Sequence, residues 1–193
     1  DAEGREADAR LGGTWPDDDD YTGAWGAFDY HSADIDNDGR DELMTTMAVG
    51  DRGDPTCDLV RTVMEAGLPQ FDMDAPLLVG GDCSDSGFGA EIVTLDLDGD
   101  GHMDVAVSDH VESSVADRAG VVYVEYGPFE GIREVGGEGS GRVLGALEGE
   151  TLGTALAAGD TNADVFDDLV VGSNRGNWED NPGTIWIFLG GSR

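Results

Sequence analysis

The chain contains no lysine. All ten of its basic residues are arginine, against 42 acidic ones, so the 193 residues carry a formal charge of −32. A surface of that sign repels phosphate backbones and anionic headgroups, so neither nucleic acid nor a membrane surface is expected as a partner. No apolar run approaches the roughly 20 residues of a helical membrane span, so membrane insertion is not expected. The three histidines, His31, His102 and His110, are scattered. They form no His-x-x-x-His pair and no Cys/His cluster, which excludes a zinc site of the usual spacing. Motifs of the G-x-S-x-G, H-E-x-x-H and phosphate-loop type are missing too, and no catalytic residue is predicted. A lysine-free acidic chain reads either as the product of a G+C-rich genome or as salt-adapted; a highly soluble surface is the simplest account.

Glycine, by contrast, is abundant, with 31 residues, and 39% of the chain is hydrophobic. That suffices for one thin, turn-rich all-β domain.

Three acidic loops recur. They are Asp34-Ile35-Asp36-Asn37-Asp38-Gly39-Arg40-Asp41-Glu42, Asp96-Leu97-Asp98-Gly99-Asp100-Gly101-His102-Met103-Asp104 and Asp160-Thr161-Asn162-Ala163-Asp164-Val165-Phe166-Asp167-Asp168. Each places an oxygen-bearing side chain at positions 1, 3, 5 and 9. Alternate side chains of a tight loop converge on one point, and several carboxylates share such a point only around a hard cation, of which Ca²⁺ is the usual one. An EF-hand needs a bidentate Glu at position 12 and flanking helices. Position 12 here is Thr45, Val107 or Val171, and short β-branched runs follow, Val105-Ala106-Val107 and Leu169-Val170-Val171. These are calcium loops within β-hairpins.

The loops begin at residues 34, 96 and 160, spacings of 62 and 64 residues. Trp25-Gly26, Phe88-Gly89 and Leu152-Gly153 precede them. Gly120-Val121-Val122-Tyr123-Val124-Glu125-Tyr126-Gly127 and Gly183-Thr184-Ile185-Trp186-Ile187-Phe188-Leu189-Gly190 follow the second and third. A repeat at such a period is one supersecondary unit stacked several times. Phe-Gly, then D-x-D-x-D-G-x-x-D, then a Val-rich strand, then Gly-Val-Val-Tyr-Val resembles the FG-GAP repeat, the blade unit of integrin-α-type β-propellers that also occurs in bacterial secreted proteins. The resemblance covers residues 22–190. It is closest in the second repeat and loosest in the first.

The resemblance implies up to three Ca²⁺ ions. Their ligands would be Asp34, Asp36, Asp38 and Glu42; Asp96, Asp98, Asp100 and Asp104; and Asp160, Asn162, Asp164 and Asp168. The backbone carbonyls of Arg40, His102 and Phe166 would join them, and the ring of His102 matters less than its backbone. Two positions depart from the pattern. Glu42 is longer than the usual Asp, and Val165 stands where a Gly permits positive φ, which strains a β-branched residue.

The expected fold is three FG-GAP-like four-stranded blades forming a partial or open β-propeller. An N-terminal segment, 1–21, precedes repeats at 22–81, 87–150 and 152–190. Strands are predicted over 27–32, 43–49, 57–64 and 76–79, then 91–95, 105–108, 121–126 and 142–147, then 155–158, 169–172 and 184–189. The third repeat lacks a fourth strand, which Ala9-Arg10-Leu11 can supply. Three blades are too few to close a ring, since closed propellers use four to eight. The chain is then a piece of a longer protein, or other copies cover its ends.

Further features carry less. Asp17-Asp18-Asp19-Asp20 reads as a solvated turn. Arg52-Gly53-Asp54 is a cell-adhesion tripeptide that chance also produces in a Gly- and Asp-rich chain. Cys57 and Cys83 are an even pair, expected as a disulfide in an oxidising compartment. Tyr123, Tyr126, Trp186 and Phe188 alternate along strands and suit core or inter-blade packing, with glycan stacking as the other use. The carboxylates' D-x-D-x-D register fits calcium better than a glycosidase pair.

Together these features predict a non-catalytic, calcium-binding extracellular module for binding, adhesion or self-assembly, its protein or glycan partner unspecified. Millimolar extracellular Ca²⁺ suits such loops, and the absence of a leader is compatible with a mature secreted chain. The alternatives are an accessory or partial domain of a secreted hydrolase or lyase, and a structural subunit of a head-to-tail filament.

Overall fold

The computed structural model describes residues 23–50, 58–64, 77–80, 87–129, 132–174 and 183–193. The segment 1–21, the Asp17–Asp20 run, Arg52-Gly53-Asp54, Cys57 and Cys83 lie outside the described residues, so the expected closing strand, adhesion tripeptide and disulfide lie outside them too.

Among the described residues there is no helix, and the strands fall into three sheets, none closed. Sheet one contains β1 (Gly23–Ala33), β2 (Glu42–Gly50), β3 (Asp58–Met64) and β4 (Leu77–Gly80). Sheet two begins with β5 (Phe88–Leu95), β6 (Asp104–Asp109) and β7 (Val121–Glu125). A short β8 (Ile132–Glu134) then leaves for sheet one, and β9 (Gly141–Leu144) returns to complete sheet two. Sheet three is β10 (Leu152–Gly159), β11 (Asp168–Ser173) and β12 (Thr184–Phe188). Neighbours pair antiparallel within each sheet, as a meander of short connections dictates. The exception is β8, which adds to β4 in parallel, Leu77 opposite Ile132 and Val79 opposite Glu134. It was not among the predicted strands, and it makes sheet one five-stranded rather than four.

Alternation decides the stacking. On β5, Val93 and Leu95 point one way and Ile92 the other. The first face, with Ala106, Val122 and Val124, buries Leu152, Leu169 and Val171 of sheet three. The second, with Val105, meets Ile35 of the first acidic loop and Met44 and Leu78 of sheet one. Strand β6 is buried along its whole length, which explains its unbroken Val105-Ala106-Val107 run. Burying each large side chain there contributes roughly 1.5–3 kcal/mol. Tyr123 packs on Phe88, with ring centroids 6.1 Å apart, and Tyr126 and Phe188 are half-buried beside the larger cluster. Trp186 departs from its expected packing role, being 46% exposed.

The aromatic-Gly and Leu-Gly pairs have a structural reason. Pairing slips between Phe88 and Ile92 on β5, and between Leu152 and Ala155 on β10. Gly89 and Gly153 sit in those bulges at φ +84° and +91°. Gly153 also lets the sheets close on one another: a Cβ there would stand 2.7 Å from the Cβ of Ser108.

Candidate metal centres

Each acidic loop joins the first two strands of its sheet, and all three are wired alike. The position 6 amide donates to the position 1 carboxylate: Gly39 to Asp34 at 2.9 Å, Gly101 to Asp96 at 3.1 Å, Val165 to Asp160 at 3.0 Å. The position 5 amide donates to position 3: Asp38 to Asp36 at 3.0 Å, Asp100 to Asp98 at 3.2 Å, Asp164 to Asn162 at 2.9 Å. The position 7 amide donates to position 5: Arg40 to Asp38 at 2.9 Å, His102 to Asp100 at 2.8 Å, Phe166 to Asp164 at 3.1 Å. Position 2 donates to position 9: Ile35 to Glu42 at 2.9 Å, Leu97 to Asp104 at 3.0 Å, Thr161 to Asp168 at 2.9 Å. These bonds curl each loop, and in the first two loops the carboxylates at positions 1, 3 and 5 each take a single amide from within the loop.

In the first loop, oxygens of Asp34, Asp36 and Glu42 lie within 4.8 Å of one another; in the second, those of Asp96, Asp98 and Asp100 do. Two ligands of one Ca²⁺, each 2.3–2.6 Å from it, are at most about 5 Å apart, so both triads fit one ion. Asp34 Oδ1 and Asp96 Oδ1 are buried and have no hydrogen-bond partner. A buried carboxylate oxygen left unpaired is costly, and a cation is what its lone pairs lack. The third loop differs. Asp160 Oδ1 accepts the Asp164 amide at 3.1 Å, and Asn162 Nδ2 donates to Asp164 Oδ2 at 2.8 Å. It satisfies its own acceptors, so the donor set fits a cation less well.

Position 9 holds the hairpin closed. Asp104 takes the Leu97 amide on Oδ2 and the Gly127 amide on Oδ1, and Asp168 takes Thr161 and Gly190 the same way, with the Thr161 hydroxyl added. The glycines that end the two Gly-x₆-Gly strand segments are therefore donors to the loops, a role their spacing did not reveal. Burial pushes Asp104 up to about 6, against the pull of its two amide donors and helped by Asp98 and Asp100. Burial likewise raises Glu42, opposed by the Ile35 amide and reinforced by Asp36, Asp34 and Asp38. Asp168 is lowered instead, chiefly by the Thr161 hydroxyl and then by the Gly190 amide.

Residues 88–124 match the family model of the FG-GAP repeat. The match runs from the Phe88-Gly89 pair through the second acidic loop and β6 into β7, the stretch whose sequence keeps the pattern most closely. No curated protein matches the chain. No helix among the described residues is long and apolar enough to cross a membrane.

Proposed function

We propose that this chain is a calcium-stabilised β-propeller-type module of an extracellular protein, its three sheets serving as blades, and that it binds or assembles rather than catalyses. The observation that carries this reading is the pair of unpartnered oxygens, Asp34 Oδ1 and Asp96 Oδ1, each inside an acidic triad. One of those triads lies within the matched FG-GAP repeat. Asp34, Asp36, Asp38 and Glu42 would hold one ion with the Arg40 carbonyl, and Asp96, Asp98, Asp100 and Asp104 a second with that of His102. Asp160, Asn162, Asp164, Asp168 and the Phe166 carbonyl would form a third, weaker site. Bound calcium supplies positive charge that relieves carboxylate repulsion and locks the hairpins. At 100 to 1,000 times Kd, each site stabilises the folded state by about 3–4 kcal/mol.

The test is calorimetric titration of metal-free protein with Ca²⁺, beside thermal melts with and without EDTA. Two tight ions, a third weaker one and a lower melting temperature in EDTA are expected. Asp98→Ala should remove one tight site. An unchanged melt, with no metal bound by elemental analysis, would overturn the reading.

Assembly as the mode of use has its own observation. Val122 and Val124 of β7 pair with Ser108 and Ala106; Ile185 and Ile187 of β12 pair with Gly172 and Val170 at the same places in sheet three. The valines are buried beneath sheet three, whereas Ile185 and Ile187 are 73% and 55% exposed. Sheet three thus presents outward the surface that sheet two uses to receive a neighbour, and a second copy's sheet one would meet it head to tail. The charge of −32 opposes that contact, so calcium and salt should promote it. Light scattering in calcium and 0.5 M salt should show association that Ile187→Asp abolishes; a monomer at every concentration would end this proposal. The competing reading, an accessory domain of a secreted hydrolase or lyase, requires a catalytic domain in the same polypeptide, which the full open reading frame decides.

A further inference from the structure

The acidic loops touch one another, and they do so at matching positions. Asn37, fourth in the first loop, places Nδ2 3.0 Å from the carbonyl oxygen of Gly101 and 3.0 Å from Nδ1 of His102, seventh in the second. Gly99, fourth in the second loop, lies beneath the ring of Phe166, seventh in the third. A Cβ on Gly99 would stand 2.2 Å from that ring. One junction is polar and the other small against large, but both join position 4 of one loop to position 7 of the next. The residue contacted is in each case the one whose amide closes the fifth-position carboxylate, Asp100 or Asp164. The ring of His102 therefore has a use that its sequence position did not suggest.

The second junction is tied further. The Asp96 amide donates to Asp167 Oδ2 at 3.0 Å, and the Asp167 amide donates back to the Asp96 carbonyl at 3.2 Å. The Gly191 amide reaches the Leu97 carbonyl at 2.9 Å while its neighbour Gly190 serves Asp168 at 3.0 Å. The first residue of loop two and the last two of loop three are thus fixed by the same set of bonds.

We propose that the three loops take up cations as one coupled row, the filling of each loop raising the affinity of the next. The inference rests on the reading of the loops as calcium sites. An empty loop holds like charges that push its backbone open, and ordering it has an entropic cost. A loop already ordered by its own ion holds its neighbour's seventh residue, or its first, in place, so the second event meets less of that cost. Placing charge in one loop also weakens the field that draws cations to the next. That opposition reaches about 8 Å at physiological ionic strength and about 3 Å at 1 M salt, whereas the short contacts persist. The coupling therefore shows most clearly in high salt.

The experiment is a Ca²⁺ titration of metal-free protein in 0.5 M salt, followed by amide NMR. The amides of Gly39 and Gly101, bound to Asp34 and Asp96, report loops one and two separately. Asp36→Ala, which disables loop one, should weaken loop two about 5- to 10-fold, at the lower end of usual coupling between sites. Asn37→Ala leaves every acidic ligand of both loops in place and should reproduce most of that loss. If Asp36→Ala fails to fold, Asn37→Ala carries the test alone. A wild-type Hill coefficient of 1 with loop two unchanged in Asn37→Ala overturns the coupling and leaves the calcium reading intact. Failure of the wild type to bind Ca²⁺ overturns both.

Discussion

Asp104 and Gly127 are joined by a 3.0 Å hydrogen bond that ties the second acidic loop to the end of β7. The carboxylate is buried, and burial pushes its pKa up to about 6, above the ordinary 3.8. A raised acid pKa means that the folded chain holds the proton more tightly than the unfolded one. Its ionisation therefore costs stability as pH rises from about 4 through 6, and the cost is complete above that. Two pH units correspond to up to about 3 kcal/mol. Glu42 shifts the same way, and global repulsion from the −32 charge adds to the trend. Metal-free protein should melt higher at pH 5 than at pH 7.5, and Asp104→Asn should flatten much of that difference. Calcium should reverse the order, since it favours the ionised carboxylates. Melts by circular dichroism on chelator-treated protein, across pH, check all three.

Gly153 lies where sheet three packs closely on sheet two. Its φ of +91° disfavours any side chain, and an added Cβ would meet Ser108 Cβ at 2.7 Å and Val122 Cγ2 at 3.0 Å. Neither neighbour can swing aside, because both stand on buried strands of sheet two. Gly153→Ala should destabilise by about 2–3 kcal/mol, combining backbone strain with overpacking. Denaturant unfolding should show a lower midpoint at an unchanged slope. A loss below 0.5 kcal/mol would mean that the sheets do not close at this residue.

Glu125, on β7, is a further buried acid of sheet two. It accepts the Gly136 amide at 2.7 Å and the Ser140 hydroxyl at 2.8 Å, pinning the turn between β8 and β9. Since β8 completes sheet one, this one carboxylate helps hold two sheets together. Glu125→Ala leaves both donors without a partner and opens a cavity, so a loss of about 2–4 kcal/mol is expected. Glu125→Gln keeps the shape and one acceptor and should cost less than half as much. Hydrogen exchange at Gly136 should accelerate in the alanine variant well before global unfolding.

How much of this was legible in the sequence follows range along the chain. The strands flanking the acidic loops could be read because alternation and Val-rich runs are local signals. β8 could not: Ile132-Arg133-Glu134 is three residues long, and its partner Leu77 belongs to the previous sheet. The same division runs through the loops. The D-x-D-x-D spacing announces the internal wiring, because each bond spans two to seven residues. Nothing in that spacing pairs Asn37 with His102, 65 residues on, or Asp96 with Asp167, 71 residues on. Those contacts exist because stacked sheets lay their loops side by side. Nor did composition show that Asp160 would satisfy itself, since that depends on which amide the altered third turn presents.

The altered turn is where a substitution should improve the protein. Val165 takes φ +76°, in the place where Gly39 and Gly101 take +89° and +86°. A non-glycine residue in the left-handed region costs roughly 1–2 kcal/mol, and a β-branched one stands at the upper end. Its side chain is 89% exposed, so truncation loses almost no packing. Glycine adds freedom to the unfolded chain, at a cost of about 0.4–1 kcal/mol. The strain is the larger quantity, so Val165→Gly should stabilise the metal-free protein by about 0.5–1 kcal/mol. Val165→Ala removes the branch but keeps the disfavoured φ, and should fall between. The amide bond from position 165 to Asp160 involves only backbone on the donor side, so both variants retain it. Loop three should also bind calcium more tightly in the glycine variant, because a relaxed turn adapts to an ion more readily than a strained one. Parallel denaturant melts and calcium titrations of the three proteins separate the effects. A glycine variant less stable than wild type would show that Val165 is not strained.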